Sequence, residues 1–159
     1  MRISSPGGRA DVKLVADANV LLSAVLGGRA KAVLEHPGVT EVLTAEITLS
    51  EVQEYAAQLA KKKRLSLDVV LLAVASLPVR VVDRTVYQAS ILEAERRIGR
   101  RDPDDVEILA LALHAKIAVW SNDSDFESVG VEWFTTAELL AREVARNSVE
   151  SSGSPVASL

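Results

Sequence analysis

Cysteine is absent from the sequence, and its absence excludes several kinds of chemistry. A chain without thiols cannot form disulfides, bind zinc through thiolates or use a cysteine nucleophile. A protein without disulfides fits a reducing compartment, so we expect a cytoplasmic location.

Positively charged residues are outnumbered by negatively charged ones. The 18 lysines and arginines compare with 22 aspartates and glutamates, which gives a net charge of −4. This balance argues against a protein that coats nucleic acid through bulk charge. It is compatible with a nuclease, because such an enzyme holds metal ions with acids and binds phosphates with a few local cations.

Long apolar runs are missing too. The run from Leu14 to Leu26 is interrupted by Asp17 and Asn19 and is too short to cross a bilayer, so we expect a soluble protein with no membrane partner. No internal repeat or linker is visible. We therefore predict one domain at residues 13–146, with a flexible leader at 1–12 and a disordered tail at 147–159.

Short apolar segments alternate with longer helical segments along the chain. This alternation is typical of a mainly parallel sheet covered by helices on both faces, a three-layer α/β/α fold. The five predicted strands are residues 13–16, 41–44, 79–82, 117–121 and 131–134. The predicted helices begin at 17 or 19, 30, 48 or 50, 66, 85, 101 and 135 or 136; they end near 25, 35, 64, 76, 99, 113 and 146.

Acidic residues stand at the ends of the most apolar elements. Asp17 closes the first strand, Asp123 follows the fourth, and Asp105 begins the helix that leads into the fourth. Ligands of open parallel sheets gather at the carboxyl ends of the strands, where strand order reverses. If strands one and four are neighbours there, the three carboxylates share one crevice.

Two further acids are candidates for the same crevice. Glu51 flanks the apolar stripe of its helix and can face the sheet edge while the helix stays docked. Asp125 is a further ligand or a turn cap. Each acid alone has an ordinary structural explanation, such as an interaction with a helix N-terminus for Asp102, Asp104 and Asp105.

Together, these acids indicate a cation site. Two carboxylates about 4 Å apart repel by roughly 4 kcal/mol at an effective dielectric of 20, so several in one cleft need a counterion. Ligation by oxygen alone, without histidine or cysteine, suits Mg²⁺ or Mn²⁺.

The arrangement resembles a PIN domain, the ribonuclease fold that includes the toxins of VapC-type toxin–antitoxin pairs. Four segments carry the resemblance, and their order and spacing match over residues 13–140. They are Val15-Ala16-Asp17-Ala18-Asn19-Val20-Leu21-Leu22, Thr48-Leu49-Ser50-Glu51-Val52, Asp102-Pro103-Asp104-Asp105 through Ala112, and Trp120-Ser121-Asn122-Asp123-Ser124-Asp125-Phe126. Ala18 departs from the pattern, because many members carry a hydroxyl residue there.

The resemblance implies endonucleolytic cleavage of single-stranded RNA with Mg²⁺ or Mn²⁺. It assigns the catalytic and metal-binding positions to Asp17, Glu51, Asp105 and Asp123. Ser121 and Asn19 match polar residues that accompany these acids in the family. Asp105 is chosen as the third ligand because its distance to Ala110 and Ala112 fits the family pattern; Asp102 is held in reserve, and the choice among Asp102, Asp104 and Asp105 stays open.

A VapC-type toxin further implies an antitoxin protein and a homodimer. The cations just before the acidic turn are candidates for contacts with the RNA backbone: Arg96, Arg97, Arg100 and Arg101. A non-toxin RNA-processing PIN nuclease and an inactive PIN scaffold remain alternatives. A haloacid-dehalogenase-like phosphatase requires an Asp two residues after Asp17, where this chain has Asn19, and a receiver domain requires an acidic pair that is absent.

Overall fold

A computed structural model describes residues 11–99 and 102–142 of the chain. Within them, five parallel strands form one sheet in the order β3-β2-β1-β4-β5. The strands are β1 (Val12–Ala16), β2 (Val39–Ala45), β3 (Arg80–Val82), β4 (Ala118–Trp120) and β5 (Trp133–Phe134). The predicted parallel sheet of five strands is confirmed.

α-Helices connect β1 to β2, β2 to β3 and β3 to β4, and a further helix follows β5. They are α1 (Ala18–Val25), α2 (Ala30–Glu35), α3 (Glu46–Lys62), α4 (Leu67–Ala75), α5 (Arg84–Tyr87), α6 (Ile91–Ile98), α7 (Pro103–Ala115) and α8 (residues 136–142). Short 3₁₀ turns follow α5 at Gln88–Ser90 and β4 at Ser124–Phe126. No helix of the described residues is both long and apolar enough to cross a membrane.

The core lies on both faces of the sheet, because successive side chains of a strand point to opposite faces. Leu14 and Trp120 belong to the cluster on one face, together with α1, α3 and α4. Val15 and Val119 belong to the cluster on the other face, together with α6 and α7. The central strands β1 and β4 are therefore buried on both sides over residues 14–16 and 118–120, which confirms the three-layer α/β/α fold.

Helix α7 lies two residues after its predicted range of 101–113, and two other helices differ from their predicted bounds for identifiable reasons. The segment predicted as one helix from Thr85 is divided into α5, a 3₁₀ turn and α6. Tyr87 leaves helical geometry at this division; its ring is buried and its hydroxyl donates a 2.5 Å hydrogen bond to Glu107 on α7. Helix α3 begins at Glu46 rather than at the predicted Thr48 or Ser50, and the Thr48 hydroxyl donates to Asp104 instead of capping the helix.

Strand β1 begins one residue earlier than predicted, at Val12, and β5 is shortened to two residues. Residues 1–10 of the predicted leader and the whole predicted tail, 147–159, lie outside the described residues.

Candidate active site

Strands β1 and β4 are neighbours at the point where strand order reverses. Ala16 pairs with Trp120, and the next backbone N–H, that of Asp17, donates to the Trp120 carbonyl at 3.0 Å. Asp17 and Ser121 therefore leave the sheet side by side at its carboxyl edge. This is the adjacency that the sequence prediction required.

Asp17 is buried and is held by three donors. Its Oδ1 accepts a 2.7 Å bond from the Ala18 N–H at the start of α1, and its Oδ2 accepts from the Ser121 hydroxyl at 2.9 Å and the Asn19 amide at 3.1 Å. Burial nevertheless raises the pKa of Asp17 to about 6, and the charges of Asp104 and Asp123 add to the increase. Three hydrogen bonds thus fix the orientation of Asp17, while burial makes its ionisation less favourable without a counterion.

The start of α7 supplies three aspartates with different surroundings. Asp102 is the exposed N-cap, and its Oδ1 accepts a 2.9 Å bond from the Asp104 N–H. Pro103 follows as the first helical residue, where its missing N–H costs nothing. Asp104 and Asp105 are both buried. Asp102 therefore completes the helix end, while the next two carboxylates are directed inwards.

Asp105 faces the turn after β4. One carboxylate oxygen from each of Asp105, Asp123 and Asp125 lies within 4.8 Å of the other two. Burial raises the pKa of Asp105 to about 8, and the charges of Asp17 and Asp102 and a hydrogen bond that protonated Asp105 donates to Asp125 add to the increase. These three carboxylates are close enough to share one cation.

The turn itself is ordered by its own polar groups. The Asp123 N–H donates to the Ser121 hydroxyl at 3.0 Å, and the Asp125 N–H donates to Asp123 Oδ1 at the same distance. The Asn122 N–H donates to the Asn19 side chain at 3.1 Å, which ties the turn to α1. Asp123 is thereby directed towards Asp17 and Asp105.

Glu51 on α3 meets Asp104 on α7. Their carboxyl groups share a hydrogen bond, and the Thr48 hydroxyl donates to Asp104 Oδ1 at 3.1 Å. Burial, followed by the charge of Glu51, raises the pKa of Asp104 to about 7. The pKa of Glu51 is also raised, mainly by burial. Glu51 and Asp104 can share a proton in the absence of metal. A bound cation would favour the ionised form of both carboxyl groups.

All of these elements surround one cavity of about 250 Å³. The four acids predicted as ligands line it, together with Asn19, Asp102 and Asp104; the remaining walls are Ala18, Leu22 and Tyr55. The structure thus brings Asp17, Glu51, Asp105 and Asp123 together, although their role as ligands stays a prediction. Asp125 joins through Asp105 and Asp123, and Ser121 through Asp17.

Asp104 is the site residue that sequence reasoning undervalued. The sequence does not distinguish Asp104 from Asp105 as the third ligand, yet the two have different partners. Asp104 contacts Glu51, and Asp105 contacts Asp125. The available signal was Thr48, which lies three residues before Glu51 and so shares its face of the helix.

Of the predicted RNA-contacting arginines, the two within the described residues, Arg96 and Arg97, do not line the cavity. Arg96 and Arg97 lie on α6, and each donates a 2.9 Å hydrogen bond to Glu93. Arg100 and Arg101 lie outside the described residues.

The donor set fits a hard divalent cation. Six carboxylates from four separate segments of the chain line the cavity, and oxygen ligands without nitrogen or sulfur suit Mg²⁺ or Mn²⁺. The pKa values of Asp17, Asp104 and Asp105 are raised because burial and neighbouring negative charges outweigh the hydrogen bonds that stabilise the carboxylates. A bound cation would stabilise their charged forms.

The model of the PIN domain family matches residues 15–143. No curated protein matches the chain in sequence. Solved structures match its fold at low identity, and the chain spans nearly the whole length of each of them.

Three of these structures illustrate the likeness. A protein from Pyrobaculum aerophilum, PAE2754, has a TM-score of 0.64 at 13% identity, covering 91% of this chain and 99% of that chain. A toxin–antitoxin complex from Klebsiella pneumoniae has a TM-score of 0.58 at 20% identity, covering 77% and 97%. The sarcin-ricin-loop-cleaving toxin VapC20 from Mycobacterium tuberculosis has a TM-score of 0.52 at 20% identity, covering 74% and 95%.

Proposed function

The chain belongs to the PIN domain family, and we propose that it is a divalent-metal-dependent endonuclease that cleaves single-stranded RNA. The observation that carries this proposal is the convergence on one cavity of buried and half-buried carboxylates from the end of β1, from α3, from α7 and from the turn after β4. Repulsion among these carboxylates costs folding free energy, and a bound cation would offset that cost.

In this proposal, Asp17, Glu51, Asp105 and Asp123 hold Mg²⁺ or Mn²⁺, with Asp125 as an additional carboxylate beside Asp105. When bound, such an ion polarises a phosphoryl oxygen and makes water a stronger nucleophile. The protein's own contribution is orientation. Ser121 and Asn19 fix Asp17, and the backbone of the turn fixes Asp123.

The direct test is incubation of the purified protein with unstructured and structured RNA in Mn²⁺, in Mg²⁺ and in chelator. We expect cleavage of unstructured RNA that chelator abolishes and that Asp17→Asn and Asp123→Asn remove. Both variants should be folded and, without metal, at least as stable as the wild type, because each relieves repulsion. Chelator-resistant cleavage, or cleavage retained by both variants, would contradict the proposal.

We also propose that the protein is the toxin of a toxin–antitoxin pair and acts as a cytoplasmic homodimer. Two kinds of likeness support this: the family itself, and fold neighbours described as toxin–antitoxin complexes. Induced expression in a bacterial host should stop growth, and Asp123→Asn should relieve the arrest. Unchanged growth with an active, well-expressed enzyme would favour the RNA-processing alternative instead. Inactivity of the pure protein on every RNA would favour the scaffold.

A further inference from the structure

The cavity has an aromatic wall that the acids do not explain. Tyr55 lines it one helical turn after Glu51, and its side chain is 46% exposed. The chain has six aromatic side chains; the other five are buried or partly buried. A partly exposed ring in the wall of a polar cleft offers a stacking surface to a ligand with a flat apolar face.

Tyr55 and the acids lie on a continuous surface of α3. A helix advances 100° and 1.5 Å per residue, so Glu51, Tyr55, Gln58 and Lys62 fall within about 60° of arc and span about 16 Å. Tyr55, Gln58 and Lys62 are all exposed, and Lys62 lies in the last helical turn. We call this row the α3 stripe: an acid, an aromatic ring, an amide and a cation in order.

Helix α1 also contributes apolar side chains to the cavity beside Tyr55. Leu22 lies one turn after Ala18, as Tyr55 lies one turn after Glu51, and all four line the same cavity. Both helices begin at the carboxyl edge of the sheet. Leu22 and Tyr55 therefore form the apolar part of the cavity, adjacent to its acidic part.

The order of groups on the α3 stripe matches the chemistry of an unpaired nucleic-acid strand. The acids would receive the phosphodiester with its cation, and the ring one turn away offers a stacking surface for the neighbouring base. Stacking on an aromatic side chain contributes about 1–3 kcal/mol per base and is open only to bases that are not already stacked in a duplex. Lys62 supplies a positive charge for a phosphate further along the strand.

Stacking also answers a difficulty raised by charge. The chain carries a net charge of −4, and Arg96 and Arg97 are hydrogen-bonded to Glu93, so bulk electrostatics offers a polyanion little affinity. An aromatic contact beside the acids supplies affinity without charge.

We propose that Tyr55 stacks on the nucleobase next to the cleaved phosphate and that the strand continues along α3 to Lys62. This rests on the proposed nuclease function and extends it to a defined substrate-binding surface. The ligand class is a single strand with unstacked bases.

The test measures oligonucleotide binding and cleavage separately. Binding of a fluorescent oligo(U) strand is followed in Mn²⁺ on an Asp123→Asn background, and cleavage kinetics are measured on the intact enzyme. Tyr55→Ala should weaken binding and raise KM by roughly 5- to 160-fold for the loss of one stacked base, with little change in kcat. Tyr55→Phe, which keeps the ring, should restore both values.

Two controls isolate stacking and charge. An abasic strand of the same length should bind the protein with an intact Tyr55 as weakly as oligo(U) binds the Tyr55→Ala variant. Lys62→Ala should lower the slope of log affinity against log salt by about 0.7. Lys63→Ala, the same change of charge about 100° around the helix, should alter the slope less. Mn²⁺ affinity and thermal stability should be unchanged by Tyr55→Ala, because the side chain is exposed and is not a ligand.

The outcomes separate the two proposals. Cleavage that depends on Asp123 but binding and KM that are indifferent to Tyr55→Ala would overturn the stacking role alone, and would leave Tyr55 as a protein-contact residue. Tyr55-dependent binding of oligo(U) without cleavage would overturn the nuclease and leave the binding surface intact. Equal binding of the abasic and the normal strand would also overturn stacking.

Discussion

The hydroxyl of Ser121 donates a 2.9 Å hydrogen bond to Oδ2 of Asp17, a residue 104 positions away in sequence. The same oxygen of Ser121 accepts bonds from the Asn19 amide and the Asp123 N–H. One buried hydroxyl thus joins the ends of two adjacent strands and relates the positions of two candidate ligands. Its single proton is committed to Asp17, which lowers the pKa of that carboxyl against the effect of burial.

Replacing Ser121 with alanine should weaken metal binding without removing any ligand. Asp17 would lose its strongest side-chain donor, and the Asp123 N–H would lose its acceptor. Loss of a group that orients a ligand typically costs roughly 10- to 100-fold in metal affinity, and we expect Ser121→Ala to fall in that range. Calorimetric titration with Mn²⁺ measures the change.

Ser121→Thr is the matched control, because it keeps the hydroxyl and adds one methyl group. It should bind Mn²⁺ more tightly than Ser121→Ala, even if the added methyl lowers the melting temperature at this buried position. If Ser121→Ala and the wild type bind Mn²⁺ with equal affinity, the hydroxyl does not orient Asp17 for binding.

Thr48 should position Asp104 in a similar way. Thr48→Val preserves the shape of this fully buried side chain but leaves Asp104 without its hydroxyl donor, which we expect to cost about 1 kcal/mol of unfolding free energy. Metal affinity should fall as well, because Asp104 contacts Glu51. Denaturant unfolding and Mn²⁺ titration measure the two effects. Thr48→Ser should recover the affinity; failure to do so would assign Thr48 a packing role only.

The sheet edge and most of the acidic site could be predicted because they depend on local patterns. A buried parallel strand that ends in Asp17, and another followed by Ser121 and Asp123, position their polar residues at the same edge whatever the details of packing. The adjacency of β1 and β4 then required only the correct strand order, which the structure confirms.

Features that depend on contacts between distant elements could not be predicted in the same way. Asp104 and Asp105 are adjacent, and a helix separates their directions by about 100°, but the sequence does not say which direction faces α3. The break between α5 and α6 has the same origin. It accompanies the bond between Tyr87 and Glu107, which pattern and propensity do not reveal.

The roles of Asp104 and Asp105 can be separated by paired substitutions. Asp105 lies within reach of Asp123 and Asp125, so Asp105→Asn should abolish cleavage and weaken Mn²⁺ binding strongly. Asp104→Asn keeps the hydrogen bonds of the site and changes only its charge, so we expect a smaller loss of affinity. Cleavage rates at saturating Mn²⁺ make the comparison, and the reverse order would make Asp104 the third ligand.

Stability without metal should fall as pH rises. Asp17 and Asp105 have an ordinary pKa of 3.8, raised by folding to about 6 and about 8. At a pH between the unfolded and the folded pKa of each group, the unfolded chain has released a proton that the folded chain still holds. Each rise in pH over that interval therefore favours unfolding. The free energy of unfolding in chelator should therefore decline from about pH 4 to pH 8 and then level off.

Manganese should reverse this trend, because the cation competes with protons for the same oxygens and stabilises only the folded state. Denaturant unfolding at pH 5, 6, 7 and 8, with chelator and with Mn²⁺, measures the free energy of unfolding under each condition. The stabilisation by Mn²⁺ should grow with pH over this range, and Asp105→Asn should flatten the decline seen in chelator. A metal-free protein that becomes more stable between pH 5 and pH 8 would show that the acids are compensated within the fold, and the case for a cation at this edge of the sheet would then fail.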